Sequence, residues 1–189
     1  TERGVPYQNV SQSDTPVDIV MPVYNGAETI SQTIDSVLNQ THQAFRLLIM
    51  DDGSTDSTEE VCKPYLVDER VQYIRGSHKG ISETLNRGVS LSQTVYVARQ
   101  DSDDVWMPWH LDLLLQELEK NPKLDLIGAR VVAEEDAITD KIMVQSFHNI
   151  NKKSYHIFFL YSITNDIANE NVFKIKIIFI PHNNRLVTL

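Results

Sequence analysis

The chain has 189 residues, of which 41% are hydrophobic and 23% charged, with a formal net charge of −9 at pH 7. These values predict one globular domain, with or without an appendage, that is long enough to bury a core. The negative charge argues against DNA or RNA as the main partner, because contacts to phosphate backbones need patches of Lys and Arg. It leaves a nucleotide open as a ligand, since a metal ion can carry the phosphates.

Cysteine content and apolar runs bear on where the protein works. Cys62 is the only cysteine, so the sequence has no disulfide framework and no thiolate metal site. No run approaches the roughly twenty apolar residues that a membrane-spanning helix needs. We therefore expect a cytoplasmic protein, with peripheral attachment at the inner face of a membrane as an open alternative.

Apolar runs alternate with helical patterns along most of the chain. After a polar stretch at 1–16, predicted to be a flexible leader, the predicted strands are Val17–Tyr24, Phe45–Met50, Val71–Ile74, Val95–Gln100 and Leu124–Val132. Helices are predicted between the strands. The first begins at Ala27–Glu28 and ends around Asn39–Thr41, and the second follows Asp56. The third is Ile81–Leu91, and the fourth begins at Pro108 and ends at Asn121–Pro122. Asp56 followed by Glu59 predicts a capping box for the second helix, which Pro64 is expected to end. Strands that alternate with helices predict an α/β fold, with a mostly parallel sheet covered by helices on both faces.

The composition changes near residue 147. All seven glycines occur by Gly128, and the last stretch is rich in Ile, Asn, Lys, Phe and Tyr, with strand-like patterns at Ile157–Tyr161 and Val172–Ile180. We therefore divide the chain into the leader at 1–16, a main domain at 17–146 and an atypical segment at 147–189. That segment has three interpretations: a separate lobe, a surface for a second copy or a membrane, and a tail that is not the native continuation of the fold.

Three aspartates follow the fourth predicted strand, at Asp101, Asp103 and Asp104. Carboxylates crowded in this way repel one another, and a hard divalent cation with oxygen ligands explains them best. A solvated acidic turn is the simpler alternative. The cation is favoured because open α/β sheets bind ligands at the carboxyl ends of their strands.

Two other strand ends carry residues that suit the same ligand. Pro22, Tyr24 and Asn25 end the first strand, and Asp51–Ser54 follows the second. In a doubly wound sheet these ends meet in one crevice. The combination fits a ligand with a ring to stack, polar edges to hydrogen-bond and a diphosphate to neutralise through a metal, which describes a sugar nucleotide.

The sequence resembles the nucleotide-binding half of glycosyltransferase family 2, inverting enzymes with the GT-A fold. The matching segments occur in the family's order within roughly Val17–Ala133, and they are Asp18–Gly26, Ser36–Thr41, Leu48–Asp56, Asn86–Gly88 and Asp101–Asp104. The resemblance implies a Rossmann-like GT-A domain at 17–146. It also implies transfer of a hexose-type sugar from a nucleotide-sugar, by default a UDP-sugar, to a hydroxyl of a glycan or lipid-linked acceptor with inversion. Such enzymes serve bacterial surface polysaccharide or glycolipid synthesis.

The resemblance further implies the site residues. Its nucleotide-binding positions are Pro22, Val23, Tyr24, Asp51, Asp52, Lys79, Asp101 and Ser102. In these roles Pro22 and Tyr24 flank the base, Asp52 accepts a hydrogen bond from it, and Lys79 approaches the phosphates. Asp101 and Asp103 form the family's Asp-x-Asp pair for Mn²⁺ or Mg²⁺, with Asp103 the expected direct ligand. Read from the residues alone, Tyr24 also suits packing at a strand end, and Asp51 suits a turn or a helix cap.

The catalytic base of the family lies in an acidic motif downstream of the Asp-x-Asp pair, and we find no such motif between Ala133 and Leu189. The sequence therefore assigns no catalytic residue, and the main alternative is a nucleotide-sugar-binding module without transferase activity. Other enzyme classes fit less well. A haloacid-dehalogenase-like phosphatase shares the Asp-x-Asp spacing but needs its second acidic pair later in the chain. A nucleotidyltransferase needs a Gly- and Arg-rich loop where Asn25–Ala27 stands, and a dinucleotide oxidoreductase needs a Gly-x-Gly-x-x-Gly motif.

Overall fold

The computed structural model describes residues 13–120 in full and the backbone of three further strands at 126–129, 145–147 and 176–179. The strands are β1 Val17–Val23, β2 Phe45–Asp51, β3 Val71–Arg75, β4 Tyr96–Arg99, β5 Leu126–Ala129, β6 Gln145–Phe147 and β7 Lys176–Phe179. The helices are α1 Ile30–Leu38, α2 Thr58–Cys62, α3 Ile81–Ser90 and α4 His110–Lys120, with a 3-10 helix at Lys63–Val67. In the described part of the chain, no helix is long and apolar enough to cross a lipid bilayer.

The strands form one sheet in the order β3-β2-β1-β4-β7-β5-β6. β1 pairs in parallel with β2 and with β4, and β2 pairs in parallel with β3. All seven residues of β1 are buried, as expected for a central parallel strand that helices cover on both faces. The predicted parallel core of the sheet is therefore confirmed for the first four strands.

Side chains that alternate along β1 serve two separate cores. Ile19 and Met21 belong to the larger core, which takes in the apolar faces of α1 and α4. Val20 belongs to the smaller core, where Leu85 of α3 packs against Met50 of β2. The alternation places α1 and α4 on one face of the sheet and α3 on the other, because successive side chains of a strand point to opposite faces. The prediction of helices on both faces is confirmed.

A buried carboxylate ties the amino-terminal ends of the strands together. The Asp18 side chain is 1% exposed and accepts two hydrogen bonds from Arg46, at 2.8 Å from Nε and 2.9 Å from Nη2. It also accepts from the Ser92 hydroxyl at 2.7 Å and from the Gln93 N–H at 2.6 Å. Burial raises the pKa of Asp18, but these hydrogen bonds outweigh it and leave the pKa below its ordinary value. Asp18 therefore joins β1 to β2 and to the α3–β4 turn as an ionised group.

The start of α2 differs from the predicted capping box. The Asp56 carboxylate accepts from the N–H of Thr58 at 3.0 Å and from its hydroxyl, so it forms an Asx turn before the helix. Glu59 does not return to the backbone, because its carboxylate pairs with Arg75 at 2.9 Å. The capping box is wrong, since a cation on β3 takes its second member. α2 ends at Cys62, before Pro64 as predicted, and the chain continues into the 3-10 helix, in which Pro64 lies near the start.

The later strands were predicted less well. β5 falls within the predicted Leu124–Val132, and β7 falls within the predicted Val172–Ile180. β7 runs antiparallel between β4 and β5, which the sequence did not predict, and β6 was not predicted as a strand. The leader at 1–12, the strand predicted at 157–161 and most of the segment searched for a catalytic base lie outside the described residues.

Candidate active site

The predicted ligand-binding residues follow three adjacent strands. Tyr24 follows β1, Asp52 follows β2, and the acidic turn Asp101–Asp104 follows β4. Because β1 lies between β2 and β4 in the parallel sheet, the carboxyl ends of all three strands meet at one edge. The N–H of Asp52 donates to the carbonyl of Val23 at 2.8 Å, which extends the β1–β2 pairing to the residue that leaves the sheet.

The Asp52 carboxylate holds the loop that follows β3. Its Oδ1 accepts from the N–H of Lys79 and its Oδ2 from the N–H of Gly80, both at 2.8 Å. Successive N–H groups that converge on one anion form a nest, and here the protein's own carboxylate fills it. Burial raises the pKa of Asp52, but these two hydrogen bonds and one from the Thr84 hydroxyl together lower it by more, so the net shift is downward. Asp52 is thus kept ionised at the end of β2.

Two aromatic rings lie together next to this carboxylate. Tyr24 is 46% exposed, and its ring stacks on the His78 ring with centroids 4.1 Å apart and an interplanar angle of 29°. His78 Nδ1 lies 3.3 Å from the carbonyl oxygen of Asp52 and 3.4 Å from its Oδ2. Tyr24 therefore packs on a solvent-accessible partner and not in the core, so its ring stays available to a ligand.

Asp51, the other member of the acidic pair, faces the protein. Its Oδ1 accepts from the N–H and the hydroxyl of Ser54, at 2.8 and 2.6 Å, and its Oδ2 accepts from the Tyr73 hydroxyl. The residue is 1% exposed. The Ser54 hydroxyl oxygen in turn accepts from the N–H of Asn25 at 2.9 Å. Asp51 thus stabilises the turn after β2 and links it to the turn after β1, and its carboxylate lies out of a ligand's reach.

The acidic turn is anchored to α1 through one carbonyl. The carbonyl of Ser102 accepts from the hydroxyls of Thr29 and Thr33, at 3.0 and 2.9 Å. Gly26 is required by the loop after β1 itself, because a Cβ there would lie 2.6 Å from Val23 Cγ2, whereas it would lie at an ordinary contact distance of 3.6 Å from the Ser102 hydroxyl oxygen. The loop after β1 and the turn after β4 are therefore in contact.

The two carboxylates of the Asp-x-Asp pair have different surroundings. Asp101 forms an ion pair with Arg99, with Nη2 2.8 Å from Oδ1, whereas Asp103 is exposed. Within residues 13–120, no three His, Cys, Asp or Glu side chains are grouped to hold a metal ion. A Mg²⁺ ion that arrives with a diphosphate needs only one or two protein carboxylates, because phosphate oxygens and water complete its shell. Asp103, with Asp101 beside it, fits that donor set.

A cleft of about 430 Å³ adjoins Asp52 on the side of α3. The charged and polar residues that line it are Asp52, Arg75, Ser77, Lys79, Glu83, Thr84 and Arg87. The Lys79 side chain thus lines the same cleft as two arginines. Neither Tyr24 nor the acidic turn lines this cleft, so the structure groups Lys79 with Asp52 and not with the Asp-x-Asp pair.

The predicted positions therefore fall into three sets. Tyr24, Asp52 and Lys79 lie together at the ends of β1 and β2, and Ser102 places the acidic turn against the loop after β1. Pro22 and Val23 are buried within β1, and Asp51 is buried at the end of β2. Sequence reasoning missed His78 and the two threonines. The glycines that flank 77–79 signalled a shaped loop, and the four-residue spacing of Thr29 and Thr33 placed both hydroxyls on one side of α1.

Solved structures with this fold bind nucleotide-sugars. TarS of S. aureus, solved in complex with UDP-GlcNAc, is 20% identical with a TM-score of 0.55, and the match covers 59% of this chain and 33% of that one. The mannosyltransferase PcManGT from Pyrobaculum calidifontis, solved with GDP-Man and Mn²⁺, is also 20% identical with a TM-score of 0.55, covering 58% of this chain and 34% of that one. At this identity the likeness establishes the fold, which is the predicted GT-A type.

Relatives of higher sequence identity identify the family of the chain. The putative teichuronic acid biosynthesis glycosyltransferase TuaG of Bacillus subtilis is 31% identical over 130 residues, covering 67% of this chain and 52% of that protein. Glycosyltransferases of Rickettsia are 30% to 38% identical over 57% to 85% of this chain, which spans only 16% to 23% of their length. The profile of the family described as "Glycosyl transferase family 2" matches residues 18–187. The chain therefore belongs to glycosyl transferase family 2.

Proposed function

We propose that this domain binds a nucleotide-sugar together with Mn²⁺ or Mg²⁺ and transfers the sugar, with inversion, to a hydroxyl of a glycan or lipid-linked acceptor. One observation carries the proposal. Tyr24, Asp52 and the turn at Asp101–Asp104 leave three adjacent parallel strands at the same edge of the sheet. The aromatic ring suits stacking of a base, and the buried anion suits a hydrogen bond to the polar edge of that base. The exposed acidic turn suits a metal-bound diphosphate.

The nucleoside belongs at the ends of β1 and β2 in this proposal. Tyr24 offers a half-exposed ring for stacking. Each oxygen of the Asp52 carboxylate already accepts one backbone N–H and has further lone pairs, so it can accept a hydrogen bond from the base as well. Asp51 and the buried Pro22 and Val23 support the site from within the sheet. The cations around Lys79 favour an anionic ligand in a protein whose net charge is negative.

The diphosphate belongs near the acidic turn. Asp103 is the proposed direct ligand of the metal, and Asp101, which Arg99 holds in place, is the proposed second ligand. A bound divalent ion supplies neutralisation of the negative charge that builds on the leaving diphosphate. The Thr29 and Thr33 hydroxyls hold the backbone of the turn through the Ser102 carbonyl, which reduces the rearrangement that metal binding would require.

The reaction is a displacement at the anomeric carbon of the sugar. The acceptor oxygen forms a bond to that carbon as the bond to the diphosphate oxygen breaks on the opposite face, which inverts the configuration. The acceptor proton passes to a general base, and no residue of this chain is assigned that role. We propose a UDP-sugar as the donor and surface polysaccharide or glycolipid as the product. The structure of TarS with UDP-GlcNAc and the likeness to TuaG support this choice, whereas the structure of PcManGT with GDP-Man keeps GDP among the nucleotides to test.

A calorimetric titration tests the proposal. UDP, GDP and their sugar conjugates are added to the wild-type chain with and without Mn²⁺, and transfer and hydrolysis of the conjugates are then assayed. We expect one nucleotide to bind only with Mn²⁺, and Asp103→Ala to weaken that binding at least tenfold. An exposed carboxylate elsewhere serves as the control, since Asp14→Asn should leave the affinity unchanged.

Three results divide the alternatives. Metal-dependent binding with transfer supports the full proposal. Metal-dependent binding without transfer or hydrolysis supports the nucleotide-sugar-binding module, which is the second candidate because no residue of the sequence is assigned as the catalytic base. Nucleotide affinity that is unchanged by Asp103→Ala and by removal of Mn²⁺ contradicts the metal site.

A further inference from the structure

The two stacked rings come from strands that do not touch each other. Tyr24 follows β1 and His78 follows β3, and β2 lies between these strands in the sheet. The rings therefore meet above the end of β2, where Asp52 leaves the sheet and accepts the N–H groups of the loop that carries His78. His78 therefore lies against the proposed base acceptor, and the Tyr24 ring lies on His78.

The spacing of the strands suits a third ring between these two. Strands that are two positions apart in a sheet are separated by about 10 Å. A planar ring between two others needs their centroids to stand roughly 8 Å apart, about twice the separation of a stacked pair. The Tyr24 and His78 rings lie 4.1 Å apart, which is less than half the separation of the strands that they follow. Side-chain rotation alone can therefore open the gap, without movement of the strands.

The loop does not need the His78 ring for its own structure. Asp52 holds the loop through the backbone N–H groups of Lys79 and Gly80, which any side chain at position 78 leaves in place. His78 has a φ of 50°, in the left-handed region, which few residues other than Gly adopt and in which Asn, Asp and His are the more frequent of those. The imidazole is nevertheless 59% exposed and stacked on the ring proposed to hold the base. A strained backbone that presents an exposed ring at a site is a recurrent property of ligand-binding positions.

We propose that His78 is the second wall of the nucleobase pocket, so that the base of the donor lies between the rings of Tyr24 and His78 with its edge toward Asp52. The inference rests on the proposed function, because it concerns the same nucleotide site. In the absence of a nucleotide the two rings close on each other. The base replaces a ring–ring contact with two ring–base contacts, and His78 contributes to affinity through stacking and not through a hydrogen bond.

Two variants of one residue and two ligands test this inference. His78→Asn removes the ring and tolerates the left-handed backbone, whereas His78→Phe keeps a ring and removes both nitrogens. Whichever of UDP and GDP the wild type binds more tightly is titrated with Mn²⁺ into all three proteins, alongside ribose 5-diphosphate, which has no base. Stacking of a base on one aromatic side chain predicts that His78→Asn weakens nucleotide binding about tenfold. His78→Phe should stay within about threefold of the wild type, and both variants should bind ribose 5-diphosphate as the wild type does.

Each other outcome overturns the inference in a distinct way. An unchanged nucleotide affinity in His78→Asn shows that the ring does not contribute to binding, and an increased affinity shows that it opposes binding. Neither result contradicts the proposed function. Equal losses in His78→Phe and His78→Asn show that a nitrogen atom and not stacking matters. A loss for ribose 5-diphosphate that matches the loss for the nucleotide assigns His78 to the phosphates or to the loop. A wild-type protein that binds neither UDP nor GDP overturns the proposed function and this inference together.

Discussion

The two ends of the central strands both carry aspartates, and the two ends use them differently. At the amino-terminal end, Asp18 is 1% exposed and accepts hydrogen bonds from a guanidinium, a hydroxyl and a backbone N–H. At the carboxyl-terminal end, Asp103 is exposed on a turn that is itself held in place by Thr29 and Thr33. One aspartate is enclosed by its donors, and the other is presented to solvent by a preformed turn.

This difference in hydrogen-bond donors and exposure distinguishes a carboxylate that stabilises the fold from one that is available to bind a metal ion, and no sequence motif is needed for the distinction. A carboxylate surrounded by protein donors stabilises the fold and has no capacity left for a ligand. Asp52 stands between the two cases, because two backbone N–H groups hold it while its side chain lies next to the exposed His78, on which the Tyr24 ring stacks. The comparison therefore predicts that stability and nucleotide binding respond to different aspartates.

The largest expected effect is on stability at the amino-terminal end. Removal of one partner of a buried ion pair leaves the other uncompensated and costs about 3–5 kcal/mol, so Asp18→Ala should lower the free energy of unfolding by about 3 kcal/mol because Arg46 is partly exposed. Asp103→Ala should change it by at most about 0.5 kcal/mol, as exposed substitutions do. Urea unfolding followed by circular dichroism measures both. Equal losses in the two variants would contradict the division between the two ends.

The pH dependence of stability gives the next effect. Hydrogen bonds hold the pKa of Asp18 and of Asp52 below the ordinary value of 3.8. A group whose pKa is lower in the folded state stabilises the protein above its unfolded pKa, and this contribution is lost as the pH falls through the folded pKa. Stability should therefore decline from about pH 5 downward, and Asp18→Asn should flatten that decline while lowering stability at neutral pH. Thermal unfolding between pH 7 and pH 3 measures it, and parallel curves for the two proteins would contradict the assignment.

A smaller effect is expected where the acidic turn meets α1. Thr33→Val keeps the shape of the side chain and removes one of the two hydroxyls that donate to the Ser102 carbonyl, so it should cost about 1 kcal/mol. Thr29→Val is the matched variant at the other hydroxyl. Each should weaken the Mn²⁺-dependent nucleotide affinity by a few fold, and the double variant should lose more than the sum of the two because the carbonyl then has no donor from α1. Additive losses without any change in nucleotide affinity would show that the turn does not depend on this anchor.

Local pattern was enough to predict the first four strands and the four helices. Apolar periodicity located them because β1 and β2 are buried on both faces and α1 and α4 each bury one side. The capping box failed for a reason outside the local sequence. Glu59 and Arg75 meet only when α2 and β3 are in place, and that ion pair competes with the backbone for the carboxylate.

The individual residues of the site were predictable from the sequence, but the contacts between their side chains were not. Strand ends identified Tyr24, Asp52 and the acidic turn, because the end of a parallel strand is recognisable from its apolar run. The contact of Tyr24 with His78 joins loops after two strands that are not neighbours, and no spacing along the chain indicates it. The ion pair between Arg99 and Asp101 could not be predicted from the sequence either, because an arginine two residues before an aspartate can pair with many other groups.

The position of β7 has a consequence for how the protein is made. Strands β3, β2, β1 and β4 can pair with one another once the segment that ends at Arg99 has left the ribosome, but β7 is encoded far downstream and pairs with β4 at Val97–Phe179 and Ala98–Ile178. Until that segment is synthesised, the outer edge of β4 presents unpaired N–H and C=O groups on which another chain can dock. The nascent chain therefore passes through an interval in which its half-built sheet is exposed to aggregation, and chaperone binding or rapid synthesis of the remaining residues would shorten that hazard.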